Sequence, residues 1–154
     1  MIRLAAACAL VLASAAVARG TTPPAPEWAV AVLPGGAEFM LEVARDDASR
    51  ARGYMFREKV GPREGMLFVF DESAPHSFWM KNCRVPLDIL WLDAAHRIVY
   101  MAESLPPCPA EGDCPSTVPT APARYVLEFA AGTAREQHLK TGDAVVVLDS
   151  DGGR

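Results

Sequence analysis

The pentapeptide Phe78-Trp79-Met80-Lys81-Asn82, followed six residues later by Asp88, gathers the side chains best suited to recognising a small molecule. Side chains alternate along an extended strand, so Phe78 and Met80 share one face and Trp79 and Lys81 the other. With the first pair turned to a core, the second pair and Asn82 present a ring, a cation and an amide. That set suits a ligand with a flat or anionic part, because the ring supplies contact area and the polar groups fix orientation. The plainer reading is that Trp79 caps a barrel while Asn82 and Pro86 shape a turn. Upstream, Arg52 and Arg57 flank Met55-Phe56 and offer guanidinium groups to the same neighbourhood, and Glu64, Asp88 and Asp93 are acids that flank the aromatic segment. Arg–carboxylate pairs that merely pin a helix onto a sheet compete with that role. The candidate ligand-binding set is Arg52, Trp79, Lys81, Asn82 and Asp88, with no catalytic residue, metal ligand or cofactor assigned.

Two other chemistries compete with simple binding. Glycoside cleavage by paired carboxylates needs two acids about 5 to 9.5 Å apart across one cleft, which spacing in sequence does not establish. Met55, Met66, Met80, His76 and Cys83 crowd one third of the chain, and exported proteins use thioether and imidazole ligands for Cu(I). Methionine in strands is, however, a common core filler. No serine occupies a nucleophile elbow, no His-Glu-x-x-His occurs and no glycine-rich phosphate loop is present. The three histidines, His76, His96 and His138, are far apart in sequence. Catalysis has no recognisable motif.

The elements that must hold these residues are short. Trp28–Leu33 and the alternation of Phe39, Leu41 and Val43 with Glu38 and Glu42 predict a hairpin turning at Pro34-Gly35-Gly36. Asp46 or Asp47 caps a short helix carrying Arg50 and Arg52 outward, and Gly53 weakens it by about 1 kcal/mol relative to alanine. Residues 66–70, 77–80, 87–92, 97–102 and 124–129 read as strands, with 87–92 apolar on both faces and therefore central. Residues 93–96 form a hairpin loop. Residues 103–122 are rich in proline and read as a long loop. Thr133 and Glu136 form a capping box for a second short helix, and a turn at 141–143 leads to a closing strand over 144–148. The fold class is α+β, a mostly antiparallel small sheet or barrel of short strands with two short helices.

The N-terminus bounds the compartment. One charge, Arg3, precedes an apolar run from Leu4 to Val17 and the small-x-small triplet Ala16-Val17-Ala18, the layout of a secretory signal spanning residues 1–18. The run is shorter than the roughly 20 apolar residues of a spanning helix, so no stable membrane span is expected after cleavage. Residues 19–27 are a Pro-rich linker and 28–150 a single domain. Losing Arg3 moves the formal charge from −4 to −5. An acidic chain without a basic run has no electrostatic footprint for nucleic acid, so the expected partner is a small molecule or envelope component in the periplasm or outside the cell. In an oxidising compartment Cys108 and Cys114 pair naturally, because the prolines and Gly112 let the chain turn back; a ring of this size contributes roughly 2 kcal/mol in the loop-entropy model. Cys83 is then the odd thiol.

Arg52-Gly-Tyr-Met-Phe-Arg57, Glu64-Gly-Met-Leu-Phe-Val-Phe70, Phe78–Asn82, Pro86-Leu-Asp-Ile89, Pro106-Pro-Cys-Pro109, Cys114-Pro115, Ala123–Glu128 and Gly142-Asp143 together resemble the domain of unknown function 192 family (DUF192), over about residues 38–148. The resemblance implies no particular reaction. The residues and the leader imply a non-catalytic binding or accessory module of the cell envelope, with a carboxylate enzyme acting on an envelope glycan or peptide and a periplasmic copper-binding protein as the alternatives.

Overall fold

The computed structural model describes residues 27–109 and 111–149. The expected signal segment 1–18 and residues 19–26 of the expected linker lie outside them. Glu27, expected to end the linker, is instead the first residue of β1 and pairs its carboxylate with Arg45 at 2.9 Å.

In chain order the elements are β1 Glu27–Val32, β2 Glu38–Ala44, α1 Asp47–Arg52, β3 Glu64–Ala74, β4 Phe78–Trp79, β5 Leu87–Leu92, β6 Ile98–Leu105, β7 Ser116–Thr117, β8 Ala123–Ala130, α2 Thr133–Glu136 and β9 Val146–Asp149. The fold is α+β, as the sequence predicts. Seven strands form one sheet in the order β6-β5-β8-β3-β2-β1-β9, and β4 with β7 makes a separate two-stranded ribbon. All neighbours in the large sheet run antiparallel except β2 and β3, which are parallel because α1 returns the chain between them. The sheet curls until its ends meet: Arg97 bridges Ala144, and Ile98 N–H donates to the Asp143 carbonyl at 2.8 Å. This is a half-closed barrel.

Period-two alternation gives the sheet two apolar faces. Leu41, Leu67, Leu90, Leu92, Leu127 and Phe129 fill the barrel interior. Met66, Phe68, Leu87, Ile89, Trp91 and Val126 form a second core on the outer face, with Tyr54, Met80 and Phe78 against it. Because β3, β5 and β8 are buried on both sides, their middles read as near-continuous apolar runs. Each fully buried Leu, Ile or Phe contributes roughly 1.5–3 kcal/mol.

Three local expectations are corrected. Residues 77–80 yield only a two-residue strand, since the chain turns at Lys81-Asn82. The 103–122 stretch is not all loop: β6 runs on to Leu105, and Ser116-Thr117 pairs with β4. Thr133 does not cap α2; Gly132 occupies that position at φ +93 with no side-chain cap bond, and a strand residue, Asp88, supplies the missing acceptor. At α1, by contrast, Asp46 is the cap, its carboxylate accepting from Ser49 N–H at 2.8 Å, and Gly53 ends the helix.

Among the described residues no helix is long and apolar enough to cross a membrane. Cys108 and Cys114 are joined as a disulfide and Cys83 is free and half-buried.

Candidate functional site

The outer core is roofed by α1, the turn through residue 57 and the β4–β7 ribbon. The ribbon is held from both ends of the stapled loop: Cys108 N–H donates to the Met80 carbonyl at 3.2 Å, and Ser116, two residues past Cys114, pairs with Trp79. Phe78 anchors it inward, packing edge-on against Phe68 at 4.9 Å and Trp91 at 5.7 Å between ring centres. Phe78 faces the core, so alternation sends Trp79 outward, where it is 46% exposed. Lys81 follows on the same side, its Nζ 5.0 Å from the centre of the Trp79 ring.

Between α1 and β4 lies a cleft of two adjoining hollows. The larger, of about 270 Å³, is walled by Phe68, Phe70, Phe78, Trp79, Ala51 and Arg50. The smaller, of about 30 Å³, shares five of those residues and reaches Arg52, Gly53, Tyr54, Cys83 and Glu128. The Arg50 guanidinium is engaged by the Arg45 and Val69 carbonyls and Asp47, whereas Arg52 is exposed and makes no hydrogen bond or ion pair among the described residues.

Glu128 forms the floor. It sits on β8 opposite Met66 of β3 and Ile89 of β5, in the middle of the sheet. It is 4% exposed, and its Oε2 is buried without a hydrogen-bond partner. Burial pushes its carboxyl up to about 8, against the smaller opposing influence of Arg57, and so favours the protonated form at pH 7. Arg57 is itself committed: it pairs with Glu42 at 2.5 Å and lies over the Tyr54 ring at 4.9 Å. Burial, and after it Glu128, pushes the Cys83 thiol up to about 11, which keeps it a thiol rather than a nucleophilic thiolate. Burial likewise raises the Tyr54 hydroxyl above the usual range.

Gly53 opens the way to this floor. A side chain there would place its first carbon 3.3 Å from Phe68 Cζ and 3.7 Å from Glu128 Oε2. With φ at +45 the backbone also favours glycine at this point.

Of the five residues read from sequence as a binding set, Arg52 and Trp79 line the cleft and Lys81 stands on Trp79. Asn82 is at the turn: its φ is +57, its carbonyl accepts from Phe56 N–H at 2.8 Å, and its amide nitrogen lies 3.8 Å from Met55 Sδ. Asp88 is not brought to the patch. Alternation on β5 puts it on the barrel-interior side, opposite Phe129, while Ile89 faces the cleft side. Both its oxygens are occupied, accepting from Ser104 N–H and Ala134 N–H at 2.7 Å each.

The acid that does reach the cleft, Glu128, is missing from that set. The available signal was a carboxylate inside Tyr-Val-Leu-Glu-Phe-Ala, a strand otherwise apolar on both faces. Among the residues lining the cleft Glu128 is the single carboxyl, so the second acid of a glycosidase pair is not provided there. Among the described residues no three His, Cys, Asp or Glu side chains cluster as a metal site. Met66 and Met80 are core residues, and His76 lies flat on Phe70 at 3.5 Å with one ring nitrogen on the Glu72 carbonyl.

The DUF192 family model, described as an uncharacterized ACR, matches residues 30–147. A structure from Sinorhizobium meliloti 1021, provisionally described as a transcription regulator, is 31% identical with a TM-score of 0.71, covering 83% of this chain and 98% of that one. A protein of unknown function from Novosphingobium aromaticivorans DSM 12444 is 30% identical with a TM-score of 0.70, covering 85% of this chain and 94% of that one. No curated protein matches.

Proposed function

The chain belongs to the DUF192 family, and on that footing we propose that it is an exported, non-catalytic module that binds a small planar ligand bearing an anionic group in the cleft between α1 and β4. The observation that carries this reading is the pairing of an aromatic-walled hollow with a guanidinium, Arg52, left without a partner in the small hollow that adjoins it. Rings give contact area to a flat molecule, and an exposed cation orients its negative end. The hollow of about 270 Å³ lies just below the usual range for small-molecule sites, which favours a ligand of one or two rings. Export is supported by the signal-like residues 1–18 and by the disulfide, a bond that persists in oxidising compartments. The regulator description of the Sinorhizobium structure is not carried over, because this chain has a formal charge of −4 and no basic run.

Benzoate is the first probe. Titrated into ¹⁵N-labelled protein, it should move the indole signal of Trp79 and leave those of Trp28 and Trp91 in place, and Arg52→Gln should weaken it by about tenfold. An unmoved Trp79 signal at high millimolar benzoate would remove the cleft from consideration. Fractionation with N-terminal sequencing of the product checks export, the expected mature start being Arg19.

A further inference from the structure

We infer that Glu128 is the selecting contact of this cleft: its carboxyl takes a ligand whose buried end carries an uncharged oxygen or nitrogen acceptor, and it disfavours one whose buried end is hydrocarbon or anionic. The inference rests on the binding reading above and adds the chemistry of the ligand's inner end.

Three observations converge on it. Glu128 Oε2 is buried and unpartnered, which a folded chain tolerates only at a cost, so the group needs a hydrogen-bond partner that the protein itself does not supply. The small hollow above it, of about 30 Å³, has room for one small group and opens into the larger aromatic hollow through shared walls. Gly53 leaves vacant the space beside Oε2 that any other residue would begin to fill. The cations nearby do not satisfy the carboxyl: Arg57 is paired with Glu42, and Arg52, which lines the same hollow, makes no hydrogen bond or ion pair with it.

A carboxyl held neutral by its surroundings is a donor, carrying one O–H. An acceptor placed against it gains a hydrogen bond in a dry site. A hydrocarbon there leaves the O–H unpaired, and an anion against the carboxyl loses its water beside a second acid, the exposed Arg52 being the unpaired cation of that hollow. The anionic end of the ligand therefore belongs at Arg52, on the exposed side of the small hollow, and the neutral acceptor at Glu128, on its buried side. The competing occupant of the small hollow is an ordered water, which would satisfy Glu128 and make the inner end of the ligand irrelevant.

The test compares two rod-shaped probes of equal length and charge, 4-cyanobenzoate and 4-ethynylbenzoate, by calorimetry and by the amide signal of Gly53. The nitrile nitrogen accepts a hydrogen bond and the alkyne does not. The nitrile is expected to bind about tenfold tighter, a preference retained in Glu128→Gln, whose amide still donates, and collapsing to within about twofold in Glu128→Leu. The comparison on the unaltered protein needs no variant to fold. Equal affinities for the two probes, with Trp79 perturbed by both, would overturn the role of Glu128 and leave the cleft reading intact. Binding of neither probe would overturn both.

Discussion

Asp88 and Glu128 are both carboxyls buried in neighbouring strands near the middle of one sheet, yet they belong to opposite faces and to different physical regimes. On the barrel-interior face, Asp88 spends both oxygens on backbone N–H groups, one from β6 and one from the first turn of α2. On the outer face, Glu128 has an oxygen with no partner, lies under a roof with a gap at Gly53, and is pushed toward neutrality. Burial alone therefore does not mark a functional acid. Satisfied burial is scaffolding, and it is burial with an unmet bond facing a cavity that points to a ligand.

The comparison breaks most readily at Asp88. Asp88→Ala leaves two buried N–H donors orphaned at once and should cost about 4 kcal/mol in urea unfolding, with Asp88→Asn losing roughly half as much because one acceptor oxygen survives. A loss below about 1 kcal/mol would mean that water replaces the carboxylate and that Asp88 is not a brace.

Glu128 should behave in the opposite sense. Its folded value of about 8 lies above the ordinary 4.5, so between those values the native state holds a proton that the unfolded chain has released. Stability contributed by the neutral form is complete below pH 4.5 and falls as pH rises toward 8, with a slope approaching 1.4 kcal/mol per pH unit at most. Glu128→Gln should flatten that slope and be the more stable protein at pH 8. Urea midpoints of the two proteins across pH 5 to 9 isolate the contribution of Glu128, since the histidines are common to both. Parallel curves would show that Glu128 ionises freely and would join the two acids in one class.

Much of the frame was legible in the chain. The β1–β2 hairpin, the Asp46 cap, the doubly buried β5 and the alternation that sends Trp79 and Lys81 outward all follow from local pattern, and the fold agrees. What pattern does not carry is which strands become neighbours. Asp88 lies close to Trp79 in sequence, but one residue of register puts Asp88 and Ile89 on opposite faces. Glu128 reaches the cleft only because β8 inserts between β3 and β5 and α1 folds back over that face, both long-range facts. The Thr133 capping box does not form because the cap falls one residue earlier, at Gly132, whose carbonyl accepts from Glu136 N–H, and the Ala134 N–H goes to a carboxylate 46 residues away in sequence.

A smaller effect tests the gap itself. Gly53→Ala forces a side chain onto a backbone with φ at +45 and crowds Phe68, so a cost of about 1 kcal/mol is expected. The same methyl narrows access to Glu128, so the cyano-over-ethynyl preference should shrink while benzoate, which carries no group for Glu128, still binds. If the preference survives unchanged, the ligand's inner end does not travel past Gly53.

The smallest expected effect concerns the exposed end of the cleft. Asn82 sits at φ +57, a conformation that asparagine tolerates better than most residues, so Asn82→Gly should be nearly neutral and Asn82→Ala should cost up to about 1 kcal/mol. Those changes report on a turn. Lys81 is different: it is exposed, and apart from resting on the Trp79 ring it has no hydrogen bond or ion pair among the described residues. Removing it should leave the unfolding midpoint within the equivalent of about 0.5 kcal/mol, as for an ordinary surface change. If Lys81 and Arg52 together face the anionic end of a ligand, Lys81→Ala should nonetheless weaken benzoate severalfold and fail to restore whatever phenotype loss of the protein produces. Full complementation with unchanged benzoate affinity would confine the Trp79–Lys81 contact to the surface, leaving Arg52 as the cation that the cleft uses.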